Sequence, residues 1–497
     1  MGLLGGFIVH PRTVTTREEH GEFVLVLNDW QHFYTSEQHQ VLMASGQFYP
    51  NSMESLTQPS NIDYFEAVDG SRAAEALVTS ILINGRGQYF DPRAANNSSS
   101  TTPFEYLNII SAPNNATYRL RLINGGSVLS LKFSIDVHPL TVIASDGIPF
   151  AQPLIVDQLI IGLGERYDVL IKAATDKTRN YWIRVDTMDK NNNPRWYARA
   201  ILQYMSNTTI PTTQPRNCTA TQPCLILNCP FAQYGPKRND NAMSLICLTP
   251  QNITTHEDYL DRGLLNETVV PDVRKTLQMT MVEGTDERGA FESFNYIGMQ
   301  YPSMDIPILY DARRAREQFA CFNRSLDTNT GDKCYHTVMA RYNDVVEFLL
   351  VNHDDDQHPL HLHGSYFHIV EQGLAVLNST TGEFLANNPN VDCNEHAECK
   401  CIETTEGCKK NNMRLVKDTI QLSKGGYMRI RFRATNPGIW LFHCHTEPHL
   451  SRGMVIALHI AEDRLFQSIA SHSTNIADHC ISIVLAFAFC FIYLATD

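Results

Sequence analysis

The residues best able to do chemistry lie in two short stretches, His-Pro-Leu-His-Leu-His-Gly at 358–364 and Trp-Leu-Phe-His-Cys-His-Thr-Glu-Pro-His-Leu-Ser-Arg-Gly-Met at 440–454. Six of the nineteen histidines fall there with Cys444, a density that favours a metal site over scattered surface histidines. In a strand successive side chains point to opposite faces, so Cys444 faces one way and His443 and His445 the other. One segment thus serves two sites. Beyond it the order Cys-x4-His-x4-Met supplies His449 and Met454. Together with His358 they make one thiolate, two imidazoles and a thioether, the donor set of a blue-copper electron-transfer centre. His361 and His363 share a parity that His358 lacks, which groups them with His443 and His445. Four imidazoles together suit copper or iron engaged in oxygen chemistry.

These segments, His-Pro-x-His-x-His and His-Cys-His-x3-His-x4-Met, resemble the two carboxy-terminal copper signatures of the multicopper oxidases, in the laccase and ascorbate-oxidase branch. The resemblance implies an all-β fold of tandem cupredoxin-like Greek-key sandwich or barrel domains. It implies type 1 copper on His358, Cys444 and His449 with Met454 axial, type 2 copper on His361, and type 3 copper on His363, His443 and His445. It also implies that His443, Cys444 and His445 carry electrons from a small-molecule reducing substrate toward dioxygen, which is reduced to water. Phenols and diphenols are the family's broad default as substrates, with ferrous iron or ascorbate as alternatives. The acidic run Asp354-Asp355-Asp356 just before His358 reads as a solvated loop, and its functional alternative is an acidic mouth for cations.

Strands must position these ligands. Residues 427–433 alternate, with Met428, Ile430 and Phe432 on one side and Arg429, Arg431 and Arg433 on the other, the period of a half-buried strand. Asn436-Pro437-Gly438 turns the chain into the apolar run 439–442. Further strands are expected at 22–29, 118–122, 131–137, 166–172, 181–185, 277–282 and 345–351, and a turn at Asn84-Gly85. Such a run of short strands points to sandwiches or barrels.

An internal echo links Asn124, His138-Pro139-Leu140 and Ile143-x3-Gly147 with Asn352, His358-Pro359-Leu360 and Ile369-x3-Gly373. On this matching Thr141 and Ile143 stand where a metal would need imidazoles, so His138 is structural and the first copy binds no copper. The organisation expected is therefore a remnant of a first cupredoxin domain at 1–18, a copper-free second at 19–205, a disulfide-rich linker at 206–270, a copper-bearing third at 271–465, and a spacer with an apolar membrane-anchor signal at 466–497.

A length of 497 residues allows about three domains, and a net charge of −13 argues against nucleic-acid binding. Of thirteen cysteines, ten fall in even groups in loop-like sequence: 218, 224, 229 and 247; 321 and 334; 393, 399, 401 and 408. Even groups read as disulfides formed in an oxidising compartment, with zinc the rival for the last four. Nine Asn-x-Ser/Thr sequons, at Asn96, Asn97, Asn115, Asn207, Asn217, Asn252, Asn266, Asn323 and Asn378, point the same way. The apolar stretch 480–495 after a polar, small-residue spacer reads as a glycolipid-anchor signal, the alternative being a short retained helix. Either attaches the protein to the outer face of a membrane. Before residue 353 no two histidines form His-x-His, and the first residues resemble no signal peptide, so the expectation is a missing amino terminus. A chain that began at Met1 would then be a one-copper or non-catalytic relative.

Overall fold

The computed structural model describes residues 5–9, 19–32, 65–74, 78–90, 104–110, 112–189, 196–206, 209–235, 244–266, 268–282, 291–304, 307–321, 331–394, 397–402 and 413–465. Positions 1–4 and 10–18, the sequons at 96, 97, 207 and 323, Cys408 and the apolar tail lie outside the described residues.

Two β-sandwiches follow one another. In the first, ten strands suffice to define the plan: β1 Gly21–Trp30, β2 Ser80–Ile83, β3 Glu105–Asn108, β4 Thr117–Asn124, β5 Leu131–Ile135, β6 Leu140–Ser145, β7 Gln158–Ile161, β8 Arg166–Lys172, β9 Tyr181–Asp186 and β10 Tyr197–Gln203. The second repeats them as β11 Val273–Val282, β12 Phe291–Phe294, β13 Thr337–Ala340, β14 Val345–Asn352, β15 His358–Leu362, β16 Phe367–Gly373, β17 Thr419–Leu422, β18 Tyr427–Arg433, β19 Gly438–Cys444 and β20 Val455–Ile460. One sheet of the first sandwich runs β6-β8-β4-β1-β2 and its facing sheet β7-β5-β9-β10-β3. The second sandwich shows β16-β18-β14-β11-β12 and β17-β15-β19-β20-β13. Each strand therefore corresponds to the one numbered ten higher. The parallel pairs also match, β1 with β4 and β11 with β14, then β10 with β3 and β20 with β13.

Period-two burial builds these sheets. Strand β4 alternates without exception, with Tyr118, Leu120 and Leu122 inside. Asn84 and Gly85, at φ 50° and 76°, make the expected hairpin turn after β2. Strand β18 departs from the half-buried expectation: Arg431 is only 3% exposed and its Nε donates to Glu347 at 2.7 Å, while Arg429 and Arg433 pair with Glu371 and Asp261. Its charged face is covered because each guanidinium has a carboxylate partner.

Residues 206–270 are more than a linker. Cys224–Leu227 adds to β7 in parallel and Leu245–Leu248 adds outside it, extending the first sandwich. Disulfides join Cys218 to Cys224, Cys229 to Cys247, Cys321 to Cys334 and Cys393 to Cys399, and Cys401 is disulfide-bonded too. These bonds exclude the zinc reading of 393–408.

The echo between the sandwiches is real at its first residue and out of register afterwards. Asn124 Nδ2 donates to the carbonyls of Leu129 and Ile161, and Asn352 Nδ2 to those of Asp356 and Leu422. The counterpart of His358 is therefore Leu131, not His138. Strand β5 also stops at Ile135 rather than 137: Asp136 is claimed by Arg184, and Val137 turns at φ 68° with 65% of its surface exposed. His138 follows this turn, its Nδ1 on the Asp136 carbonyl and its Nε2 on the Tyr204 hydroxyl, both at 2.8 Å. It is structural, as expected, though for a different positional reason.

Candidate metal centres

Strands β15 and β19 lie antiparallel with Leu360 opposite Cys444 and His361 opposite His443. This register carries the site. His358 and Cys444 share one face of the pair, and His361, His363, His443 and His445 share the other. A short helix, α1 Glu447–Arg452, follows β19 and places His449. Gly453 ends it at φ 120°, a conformation that side-chain-bearing residues rarely adopt, and returns the chain so that Cys444 N–H donates to the Met454 carbonyl at 3.1 Å.

On the first face Cys444 Sγ lies 3.6 Å from His358 Nδ1 and 3.5 Å from His449 Nδ1, and the two nitrogens are 3.1 Å apart. The point equidistant from three such atoms is about 2 Å from each, the length of a metal–ligand bond. His358, Cys444 and Met454 are fully buried and His449 nearly so. Cys444 is the free cysteine among the described residues. The set has two nitrogens and one soft sulfur, and Met454 is tied to two of these residues through its backbone, its carbonyl accepting from Cys444 and its N–H donating to the His449 carbonyl; such a set fits copper.

On the second face, one ligand atom each from His361, His363 and His443 falls within 4.8 Å of the others. His363 Nε2 and His443 Nε2 are 3.0 Å apart. His445 borders this trio, its ring centre 5.8 Å from that of His361 and 5.7 Å from that of His443. The expected quartet is therefore a close trio with a fourth ring beside it. His443 Nδ1 donates to the Cys444 carbonyl at 2.8 Å, so its Nε2 is left for a metal. Three imidazoles and no coordinating carboxylate again fit copper.

Electrostatics keeps most of these rings neutral and available as donors. Burial, followed by the neighbouring His363 and His445, pushes His361 down to about 3. Burial also holds His443 and His449 well below the usual imidazole range and lowers His363 and His445. His358 is the exception: burial pulls it down, but Asp354 and Cys444 together raise it well above that range.

Sequence reasoning missed part of what supports the rings. Asp354 is not simply solvated, since its carboxylate oxygens lie 2.9 Å from His358 Nε2. Asp355 pairs with Lys424 and Arg72, and Asp356 lies 3.9 Å from His449 Nε2. Asp418 and Thr419 hold His361 Nδ1, each offering an oxygen at 2.9 Å. The available signal was the charged pair Lys417-Asp418 inside an otherwise apolar run.

Two family models, both described as multicopper oxidase, match residues 21–207 and 301–464. The chain belongs to the multicopper oxidase family. The family implies copper as the cofactor, and it is a family of oxidoreductases. It is 24% identical to the iron multicopper oxidase fer1 of Mycosarcoma maydis over 96% of this chain and 64% of that protein. It is 26% identical to L-ascorbate oxidase of Nicotiana tabacum over 91% of this chain and 70% of that one. The crystal structure of Fet3p, a multicopper oxidase that functions in iron import, shares the fold at TM-score 0.59 and 20% identity, covering 95% of this chain and 71% of Fet3p. The chain spans 52% to 64% of the lengths of the first curated relatives it matches.

Proposed function

We propose that this multicopper oxidase takes single electrons from a reducing substrate at the His358 edge and delivers them to dioxygen at the imidazole cluster. In this reading His358, Cys444 and His449 hold a type 1 copper with Met454 axial, His361 holds a type 2 copper, and His363, His443 and His445 hold the type 3 pair. Bound copper supplies one-electron oxidation of the donor and four-electron reduction of dioxygen to water. The residues of the chain supply placement. The observation that carries the reading is the covalent continuity of His443, Cys444 and His445, with Cys444 Sγ in one donor triangle and His443 Nε2 in the other. Copper(II) loading is expected to give an intense blue thiolate absorption that Cys444→Ser abolishes; a colourless loaded wild type overturns the assignment.

The reducing substrate best supported is a low-valent metal cation such as ferrous iron. Asp354 is partly exposed and its carboxylate reaches His358 Nε2, so a cation bound there sits one ring from the Cys444 triangle. The name of the fer1 relative supports this class. Phenols and diphenols remain the second reading, meeting the His358 edge without need of the carboxylate charge. Asp354→Asn is expected to lower kcat/KM for ferrous iron about tenfold or more, with little change for a neutral diphenol and none in the blue band. Equal losses for both donors would exclude iron as the preferred substrate.

A one-copper electron-transfer module is the competing function, since the described residues gather four cluster imidazoles and no two histidines before residue 353 form a further His-x-His. Oxygen uptake with either donor decides between them. The reading also takes the protein to the outer face of a membrane, through the stretch 480–495; release by a glycolipid-specific phospholipase tests this. Among the described residues no helix is long and apolar enough to cross a membrane.

A further inference from the structure

Arg166 is one of the links that join the two sandwiches behind His361. Arg166 opens β8 of the first sandwich and reaches across to Asp418 of the second, with Nη1 on Oδ1 and Nη2 on Oδ2, both at 2.6 Å. Two parallel charge-assisted bonds of this kind fix a carboxylate in plane and in distance. The Thr419 hydroxyl donates to Asp418 Oδ1 at 2.8 Å, which commits its only proton. Toward His361 Nδ1 it can then only accept, and the Asp418 carbonyl on the same nitrogen is an acceptor by nature. With acceptors alone around it, Nδ1 carries the ring proton and Nε2 carries the lone pair.

The same guanidinium supports a second ring. Arg166 Nη1 also donates to the Gly164 carbonyl at 2.9 Å, and Gly164 lies against His445 so closely that a Cβ there would come within 2.6 Å of the ring. The arginine is itself held on its own sandwich, its backbone N–H donating to Asp146 Oδ1 at 3.0 Å. Asp146 faces the buried Lys417 of the other sandwich at 3.1 Å.

We propose that Arg166 is a positioning residue for the imidazole cluster: through Asp418 and Thr419 it fixes the Nδ1–H form of His361 and presents Nε2 to the metal, and through Gly164 it seats His445. Docking of the first sandwich is thereby coupled to copper affinity in the second. The proposal rests on the oxidase reading for the identity of the metal, but the proton position on His361 does not.

The test uses Arg166→Met and Arg166→Lys in the full chain. Histidine-selective nitrogen NMR on metal-free protein reads the His361 tautomer, and copper(II) titration followed by electron paramagnetic resonance reads blue and non-blue sites separately. In Arg166→Met, His361 is expected to lose its single Nδ1–H signature and non-blue copper affinity to fall about 10- to 100-fold, while the blue site holds within about twofold. Arg166→Lys, which keeps the charge but cannot bridge both oxygens, is expected to fall between. An unchanged His361 tautomer, or equal weakening of both sites as a loosened domain joint would cause, overturns the proposal. If Arg166→Met does not fold, Thr419→Val removes the hydroxyl acceptor without cutting the joint and leaves the Asp418 carbonyl on Nδ1, so a partial loss of the Nδ1–H form is expected, and no change at all overturns the proposal. A wild type that binds no copper defeats the oxidase reading, while the tautomer measurement still decides this one.

Discussion

The first and second sandwiches share ten strands in the same order and the same asparagine brace, yet only the second gathers metal ligands among the described residues. Superposing their registers shows what replaced what. Leu131 stands for His358, Ser134 for His361 and Val185 for Cys444, as the pairings of Phe133 with Val185 and Leu360 with Cys444 require. Where the second sandwich sets His363 Nε2 against His443 Nε2, the first sets Asp136 against Arg184 in an ion pair of 2.7 Å. One position pair is thus satisfied by opposite charges in one copy and by two facing imidazole nitrogens, a pair able to hold a cation, in the other. Leu131 and Val185 are fully buried and simply fill the core. The backbone plan is indifferent to copper, and chemistry resides in a handful of side chains grafted on it.

The sharpest break of this comparison is Cys444→Ser. The blue absorption is expected to vanish entirely while the fold persists, because the first sandwich shows that the same strand pair closes without a thiolate. Retention of the band would place the thiolate ligand elsewhere.

The next effect lies at the joint. Lys417 is fully buried between Asp146 at 3.1 Å and Glu165 at 3.4 Å. Lys417→Met removes the cation between the two buried carboxylates, leaving Asp146 with Arg166 at 3.4 Å, and is expected to cost about 3 kcal/mol in denaturant unfolding. A loss below about 1 kcal/mol would mean that the sandwiches dock independently of this charge.

A reciprocal graft sharpens the contrast. Leu131→His with Val185→Cys places two ligand types at the matching sites of the first sandwich, at a cost of about 1–3 kcal/mol for burying polar groups. No second blue band is expected, since among the described residues no helix follows β9 to supply the counterparts of His449 and Met454. Appearance of a band would show that strand positions alone suffice.

The smallest effect is a pH dependence at the end of the second sandwich. Glu462 is held below the usual carboxylate range by the His459 hydrogen bond, with Arg316 adding to it. A carboxyl depressed on folding contributes stability above its unfolded pKa, and the contribution disappears as pH falls through the folded value. Glu462→Gln should therefore lower stability at neutral pH, flatten the profile between about pH 5 and pH 3, and leave stability below that range nearly unchanged. An acid limb identical to wild type would remove this group from the account.

Much of the site was legible in the chain. Strand parity alone separated Cys444 from His443 and His445, and His358 from His361 and His363, because side-chain direction in a strand depends only on position along it. The doubled domain was legible through Asn124 and Asn352. The rest of the echo misled: His138-Pro139-Leu140 looks like His358-Pro359-Leu360, but equivalence is set by which strands pair. The acidic run at 354–356 read as solvent-facing because Lys424 and Arg72 come from separate parts of the chain, and because the turn that folds Asp354 back onto His358 four residues later has no sequence signature.

The sequence by itself determined the kinds of donor, their division between two faces and the family. Those properties follow from residue type and short-range periodicity, which the chain carries locally. The tertiary structure decided which nitrogen of His361 is free, which carboxylate meets His358, and that Arg166 of one sandwich braces a ligand of the other. The first and last of these depend on contacts across tens to hundreds of residues, as between Arg166 and Asp418, separated by 252 positions, and the second on the turn that folds Asp354 back onto His358. Such pairings arise from how two sheets and two domains pack, and no local pattern encodes them.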